Sequence, residues 1–350
     1  MEFVDFKIKE IAKVTAGGDK PKIVSNSYSN ETPIPIYSNG MENDGLYGYT
    51  NIPKVDADTV TISARGVNVG KVCYRETAFL PIVRLLSLIP NRSVINAKYM
   101  YYNLKMMNIS GTGSAQPQIT VPMISELKMH IHKDLIEQEK IASFLSVLDE
   151  KIKNNNRINR NLSEQLKAIF SKMFPTITDN GSNTLEEIIS FSNGKKRPDT
   201  EGKVSVYGGN GILSYTDKSN AENCVIIGRV GAYCGSLYLS VEPCWISDNA
   251  IKAKAKNSNS QMFIYYLLQE LALSNRHIGT SQPLLTQGIL NAIPFNCPSE
   301  EDVISFCKKA DDIQKLIDMN TIENKRLSEL RDTLLPKLMS GELDVSDLNI

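Results

Sequence analysis

The chain has no net charge: 39 Lys and Arg oppose 39 Asp and Glu in 350 residues. That excludes a free-standing protein that grips nucleic acid by bulk charge. It has no apolar run near the ~18 residues of a membrane span. Its first residues, MEFVDFKIKE, do not read as a signal peptide. The six cysteines, Cys73, Cys224, Cys234, Cys244, Cys297 and Cys307, include no CxxC pair. A zinc site and a disulfide framework are therefore not expected, and the chain reads as a reduced, cytoplasmic protein. Hydrophobic residues make up 41%, enough to fill real cores, so the chain is globular.

Catalytic motifs are lacking too. GGDKPK at Gly17 does not have the spacing of a phosphate loop. There is no FxGxG and no N-P-P-[YF] of a nucleic-acid methyltransferase. His130 and His132 share a strand face without a third ligand, and read as strand surface residues. The triplet Glu201-Gly-Lys203 after Pro198-Asp199 places its carboxylates too close together for a nuclease core. No Ser or Cys nucleophile can be paired with a base.

What the chain does contain is itself, twice. ISARGVNVGKVCY from Ile62 returns as IIGRVGAYCGSLY from Ile226, and KYMYYNL from Lys98 as MFIYYLL from Met262. GTGSAQPQIT from Gly111 returns as GTSQPLLT from Gly279, and LSEQLKAIFSKMF from Leu162 as LSELRDTLLPKLM from Leu327. The blocks keep their order, so these are two homologous modules. The first part of each is rich in Gly, Pro, Asn and short β-type runs, among them TVTISA, GKVCY, LLSLI, CVIIG and SLYLSV. The tyrosine pairs Tyr101–Tyr102 and Tyr265–Tyr266 fall on a short helix and read as core. Each module begins, then, with an α+β domain.

Each module ends in a long helix. Asp134 caps the first, with Glu137 three residues on; Ser299 caps the second, with Asp302 three residues on. Leu145, Leu148, Ile152, Asn155, Asn159, Leu162, Leu166, Ile169 and Met173 repeat at spacings of three and four, the seam of a coiled coil. The second seam runs from Phe306 to Leu338 through Asn320 and Asn324, with Arg331 as its one blemish. Pro336 is expected to kink the last turns and Gly341 to end them. Asn155, Asn159, Asn320 and Asn324 are candidates for fixing register, since a buried Asn needs a polar answer. A compact domain between the helices turns the chain round, so they should run antiparallel, each ~57 Å long, as a pseudo-two-fold rod with a globular domain at either end. The alternative is that Asn154–Asn156 is a turn, making two short hairpins.

The repeated polar groups suit nucleic acid. Arg65 and Arg229 align at equivalent places in Gly-rich turns, with Lys71 beside the first. Gln116 and Gln282 sit in equivalent GT…QP loops, alongside Thr112, Gln118, Thr280 and Ser281. Arg reads guanine edges and phosphates, and Gln reads adenine, by bidentate geometry. Lys195, Lys196 and Arg197 could meet phosphates. Each has a plainer reading: arginines bonding strand-end carbonyls, glutamines satisfying a turn, a solvated basic loop. Residues 1–136 carry a net charge of +3 and residues 175–299 none, too little to hold a duplex without partners.

Two α+β domains separated by two homologous heptad helices resemble the specificity (S) subunit of type I restriction–modification systems. The likeness is carried by ISARGVNVGKV, by GTGSAQPQIT, by the helix start DLIEQEKIASFLSVLDEKI and by the closing RDTLLPKLMSGELDVS. The second helix start, NCPSEEDVISFC, departs from the family in lacking the pair that Glu137-Gln138 supplies, a position tied to partner contacts. The resemblance implies target-recognition domains at 1–133 and 176–298, conserved coiled-coil helices at 134–175 and 299–342, and a tail at 343–350. It implies a non-catalytic chain that reads an asymmetric bipartite site on double-stranded DNA and docks two modification (M) subunits and restriction (R) subunits. S-adenosylmethionine, ATP and Mg²⁺ would belong to those partners, and this chain would bind no cofactor. Four residues inserted after Ala168 should lengthen the spacer by one to two base pairs, at ~6 Å per four helical residues and ~3.4 Å per base pair. The competing reading is a coiled-coil scaffold that binds proteins and shows no DNA sequence preference.

Overall fold

The computed structural model describes residues 2–111, 117–178, 181–279 and 282–345. The chain divides into two compact units, Met1–Asn154 with Ile322–Ile350, and Asn155–Thr321. Each unit therefore holds a β-rich part and half of each long helix.

The first unit opens with β1 (Phe3–Lys7), α1 (Ile8–Ile11), β2 (Ala12–Ala16), β3 (Ile34–Tyr37) and β4 (Leu46–Thr50). It continues with β5 (Thr59–Ile62), β6 (Val72–Arg75), β7 (Leu80–Pro81), β8 (Leu86–Pro90) and α2 (Ala97–Met106). Then come α3 (Val121–Glu126), β9 (Lys128–His132) and the long α4 (Leu135–Met173). The second unit follows with β10 (Asn183–Thr184), α5 (Leu185–Ile188), β11 (Ile189–Asn193), β12 (Val204–Gly208) and β13 (Gly211–Thr216). Next are β14 (Cys224–Gly228), β15 (Leu237–Ser240), β16 (Trp245–Ile246), β17 (Ala250–Ala255), α6 (Gln261–Glu270), α7 (Gln287–Asn291) and β18 (Pro294–Phe295). The chain closes with α8 (Glu300–Ser340).

The wiring is the same twice. The first unit has a four-stranded sheet β2-β8-β5-β6, a three-stranded sheet β4-β3-β7 and a pair β1-β9. The second has β11-β17-β14-β15, β13-β12-β16 and β10-β18. Each three-stranded sheet contains one parallel pair, β3 with β7 and β12 with β16. The central strands β5 and β14 are buried on both faces, which is why they read as unbroken TVTI and CVIIG rather than as alternation. The threonine that ends each GT…QP loop caps the next helix: Thr120 Oγ1 accepts from Met123 N at 3.4 Å, and Thr286 Oγ1 from Ile289 N at 3.2 Å.

Both long helices dock within each unit. In the first, Leu145 of α4 and Leu338 of α8 join a core of Val60, Ile62, Leu88, Tyr99 and Leu104. In the second, Leu166 and Phe170 of α4 and Phe306 of α8 join Val225, Ile227, Ile251 and Phe263. Tyr102 and Tyr266 are buried, so the tyrosine pairs serve packing. α4 runs through Asn154–Asn156 without interruption, which overturns the two-hairpin alternative. The helices are antiparallel within each unit. Arg331 Nη1 meets Asp149 Oδ1 at 2.6 Å in the first, and Phe170 meets Phe306 with ring centroids 5.1 Å apart in the second. The apparent blemish at Arg331 is thus a paired seam residue; Asp149 also accepts from Tyr102 Oη at 2.8 Å. In the second unit Asn320 Nδ2 donates to Asn159 Oδ1 at 2.8 Å, and Asn159 Nδ2 to Ile317 O at 3.3 Å. Asn155 is buried. α8 continues through Pro336 to Ser340, and Gly341 ends it at φ +75°.

Two expectations are corrected. His132 is not a surface residue: it is buried, and its Nδ1 accepts from Asp134 N at 3.1 Å. Only His130 is exposed, 2.6 Å from Asp5 and stacked on Phe3. Gln138 is fully buried as well. It accepts from Asn96 N at 2.8 Å and donates to Val94 O at 3.1 Å and His132 O at 2.7 Å. It locks the start of α4 to its own unit.

Candidate nucleic-acid interface

Each four-stranded sheet sends its central strand into a turn at the same end. Ile62 pairs with Val72 across the first turn and Ile227 with Leu237 across the second. Two glycines per turn occupy the left-handed region, Gly66 and Gly70 at φ +78° and +87°, Gly231 and Gly235 at +69° and +85°. A side chain at Gly70 would strike Ile109 O, and one at Gly235 the backbone of Ser274. These glycines fix the true correspondence: Gly66 with Gly231, Gly70 with Gly235. Arg65 then matches Val230, and Arg229 matches Ala64. The two arginines are one place out of step, not equivalent as the alignment of Arg on Arg suggested.

One step along a chain turns a side chain to another face. Arg65 is half-exposed, and its guanidinium has no hydrogen bond or ion pair among the described residues. Arg229 tucks its Nε into the fold, buried and without a partner among the described residues. Its backbone N donates to Asn249 O at 3.0 Å.

The GT…QP loops meet these turns backbone to backbone. Ile119 N donates to Ala64 O at 3.0 Å in the first unit, and Leu285 N to Arg229 O at 2.9 Å in the second. Gly231 N adds a bond to Pro283 O at 3.0 Å. Gln118 is half-buried and Gln282 exposed beside the turns. Thr112, Gln116, Thr280 and Ser281 lie outside the described residues. Lys71 is tied to Asp44 at 2.9 Å, and that hydrogen bond raises its pKa, so it stays a cation. Lys195, Lys196 and Arg197 are exposed along the second unit's edge, where Lys195 bridges to Ser247. Lys196 and Arg197 line a shallow depression with Thr200, Glu201, Tyr215 and Asp248.

Sequence reasoning missed three residues here. Asn39 Oδ1 accepts from Ala64 N at 2.9 Å while its Nδ2 donates to Val83 O at 2.7 Å. It wedges the arginine turn against a second corner, Val83–Arg84. Both of those residues have positive φ, +54° and +59°, and both are exposed. No glycine or asparagine marks the corner, so no turn signal was there to read. Arg75, by contrast, is buried over the Tyr37 ring at 3.7 Å and donates to Asp44 O, a structural cation. Among the described residues no three His, Cys, Asp or Glu side chains converge to hold a metal ion, and no helix is long and apolar enough to cross a membrane.

The family description "Type I restriction modification DNA specificity domain" matches residues 1–164 and 179–332. S.MpnORF507P of Mycoplasma pneumoniae, described as a type I specificity subunit, is 32% identical over 156 residues, 44% of this chain and 42% of that relative. The match thus takes in less than half of that relative's length. The type I restriction enzyme MjaIX specificity subunit of Methanocaldococcus jannaschii is 23% identical over 98% of this chain and 94% of its own. The fold matches the crystal structure of a type I restriction–modification S subunit from M. genitalium, with a TM-score of 0.62 and 21% identity, over 97% of this chain and 96% of that one. Two β-rich units, two long helices packed together and a family match across both repeats have one meaning: the chain belongs to the type I restriction–modification DNA specificity (S) subunits, the non-catalytic members of those enzymes.

Proposed function

We propose that each β-rich part reads one half of an asymmetric bipartite DNA site, with target-recognition domains at residues 1–133 and 176–298. The helices at 134–175 and 299–342, with a tail at 343–350, set the half-site spacing and dock two M subunits and R subunits. Those partners bring S-adenosylmethionine, ATP and Mg²⁺. One observation carries this reading: in both units a Gly-rich turn is zipped by backbone hydrogen bonds to a GT…QP loop, so loop side chains cluster on a rigid sheet end. Arg65, Lys71, Gln116 and Gln118 with Thr112 form the first set; Lys195, Lys196, Arg197 and Gln282 with Thr280 and Ser281 form the second. Arg229 positions its turn. Asn155, Asn159, Asn320 and Asn324 hold helix register, a role supported by the Asn159–Asn320 bond.

Methylation mapping in cells that carry this chain with its M subunit tests the reading. A modified motif of two unlike halves separated by a fixed gap is expected; modification without a sequence motif opposes it. The spacer test needs a new site. Ala168 lies between Leu166 and Phe170 in the second unit's core, so an insertion there breaks packing. Four residues inserted both after Lys153 in α4 and after Lys325 in α8 form matched stutters. They should lengthen the gap by about one to two base pairs.

A further inference from the structure

We propose that Arg84 is a base-specifying residue of the first unit, acting beside Arg65 on the acceptor edge of a guanine, and that the second unit has no counterpart to it. This rests on reading the first unit as a DNA-recognition domain.

The corner that carries Arg84 is held in an unfavourable conformation by its surroundings. A β-branched Val83 followed by Arg84, both at positive φ, is a rare pairing. It persists because three of its own backbone groups are engaged. Val83 N donates to Gly18 O at 2.9 Å and Arg84 N to Gly17 O at 3.1 Å. Val83 O accepts from Asn39. Gly17 permits this approach, since a Cβ there would sit 2.7 Å from the backbone of Pro81. The same Asn39 amide accepts from Ala64 N, so the residues preceding Arg65 and Arg84 are bridged by a single side chain. Two long guanidinium groups therefore leave neighbouring corners. Neither has a hydrogen bond or ion pair among the described residues, so a strained exposed turn ends on a cation that those residues leave unpaired.

The second unit is a built-in control. The equivalent corner is Asp248–Asn249, and neither residue has positive φ. The equivalent of Asn39 is Gly209; without a wedge the two corners close directly, Arg229 N to Asn249 O at 3.0 Å. The strained conformation and the arginine occur together in one unit and are missing together in the other. The fold itself needs neither.

The partner that suits two guanidinium groups on bridged corners is not an apolar one. A guanine presents O6 and N7 to bidentate arginine, the commonest specific contact in the major groove. The test uses the complex of this chain with its M subunit and the motif found by methylation mapping. Competition binding compares the target duplex with duplexes each altered at one base pair. For Arg84→Ala, discrimination should fall about tenfold to a hundredfold at one guanine-bearing pair in one half-site, and hold elsewhere. Arg84→Lys should lose it too, since an ammonium lacks the fork. Arg84→Gly suits the left-handed corner, so its melting temperature should stay at or above the wild type while the same pair is relaxed. Discrimination kept at every position overturns the proposal, even where affinity drops uniformly, because a uniform drop marks a phosphate contact. A fall in melting temperature for Arg84→Gly overturns it as well, since Arg84 then serves the fold. A wild-type complex that discriminates at no position in either half defeats the recognition reading itself, and is a distinct outcome.

Discussion

The two units share the same sheet wiring and part company at the corner beside the Gly-rich turn. Where the first unit has Asn39, Ala64 and Val83–Arg84, the second has Gly209, Arg229 and Asp248–Asn249. The charges differ as well: the edge facing the corner is Gly17-Gly18-Asp19-Lys20 in the first unit and Gly194-Lys195-Lys196-Arg197 in the second. The duplicated scaffold thus keeps its sheets and buried strands, and differs at a corner where the Asn39 wedge and two exposed side chains of the first unit have no counterpart in the second. Identical sheet ends with unlike side chains are what two unlike half-sites require.

The largest expected effect is on packing. Phe170→Ala empties a site ringed by Phe174, Phe263, Tyr266 and Phe306, and should cost about 3–5 kcal/mol in the second unit only. Hydrogen exchange should show opening there while amides of β5 and β8 keep their protection. Arg331→Ala does the reverse: it strips Asp149 of its cation in the first unit, costing about 1–3 kcal/mol by chemical denaturation. Next comes the arginine pair. Arg65→Ala should relax one position of one half-site, whereas Arg229→Ala should leave the specificity of both halves unchanged; equal effects would restore the equivalence that the glycines deny. Replacing Asn159 and Asn320 together by Leu should leave stability equal or higher and loosen helix register, read by cysteine cross-linking.

The smallest difference is in acid and salt. Glu126, bonded to Lys7 at 2.7 Å and Lys9 at 2.5 Å, has its pKa held down to about 2 by those cations. Glu187, bonded to Asn183 and the Thr184 backbone, is also lowered, chiefly by those neutral donors, with Lys256 contributing least. A depressed carboxylate stabilises the fold above its unfolded pKa near 4.5, and that contribution fades as pH falls towards the folded value. Both carboxyls are fully exposed, so the effect is slight. NMR titration should show that salt raises the Glu126 pKa much more than that of Glu187.

What the sequence made legible were periodic and repeated features. TVTI and CVIIG could be read as buried strands, the threes and fours of α4 and α8 as a seam, Asp134 and Ser299 as caps. Correspondence within the turns could not be read, because Arg aligned with Arg while only backbone φ tells which glycines are left-handed. Arg331 looked like a flaw because its answer, Asp149, lies far away along the chain. Val83–Arg84 carries no turn signal at all, since its conformation is imposed by Gly17, Gly18 and Asn39 rather than by its own preference. The burial of Gln138 follows from its bonds to Val94, Asn96 and His132 across the unit, and His132 is buried in the β1–β9 pair, tertiary facts with no local trace.

The most direct measurement is a methylation map of cells expressing this chain with its M subunit, set beside the same map for Arg65→Ala. Two dissimilar half-motifs at a constant interval, only one of them loosened by the substitution, is the predicted result. A single uninterrupted motif, or both halves loosened alike, would contradict the division of labour between the two units.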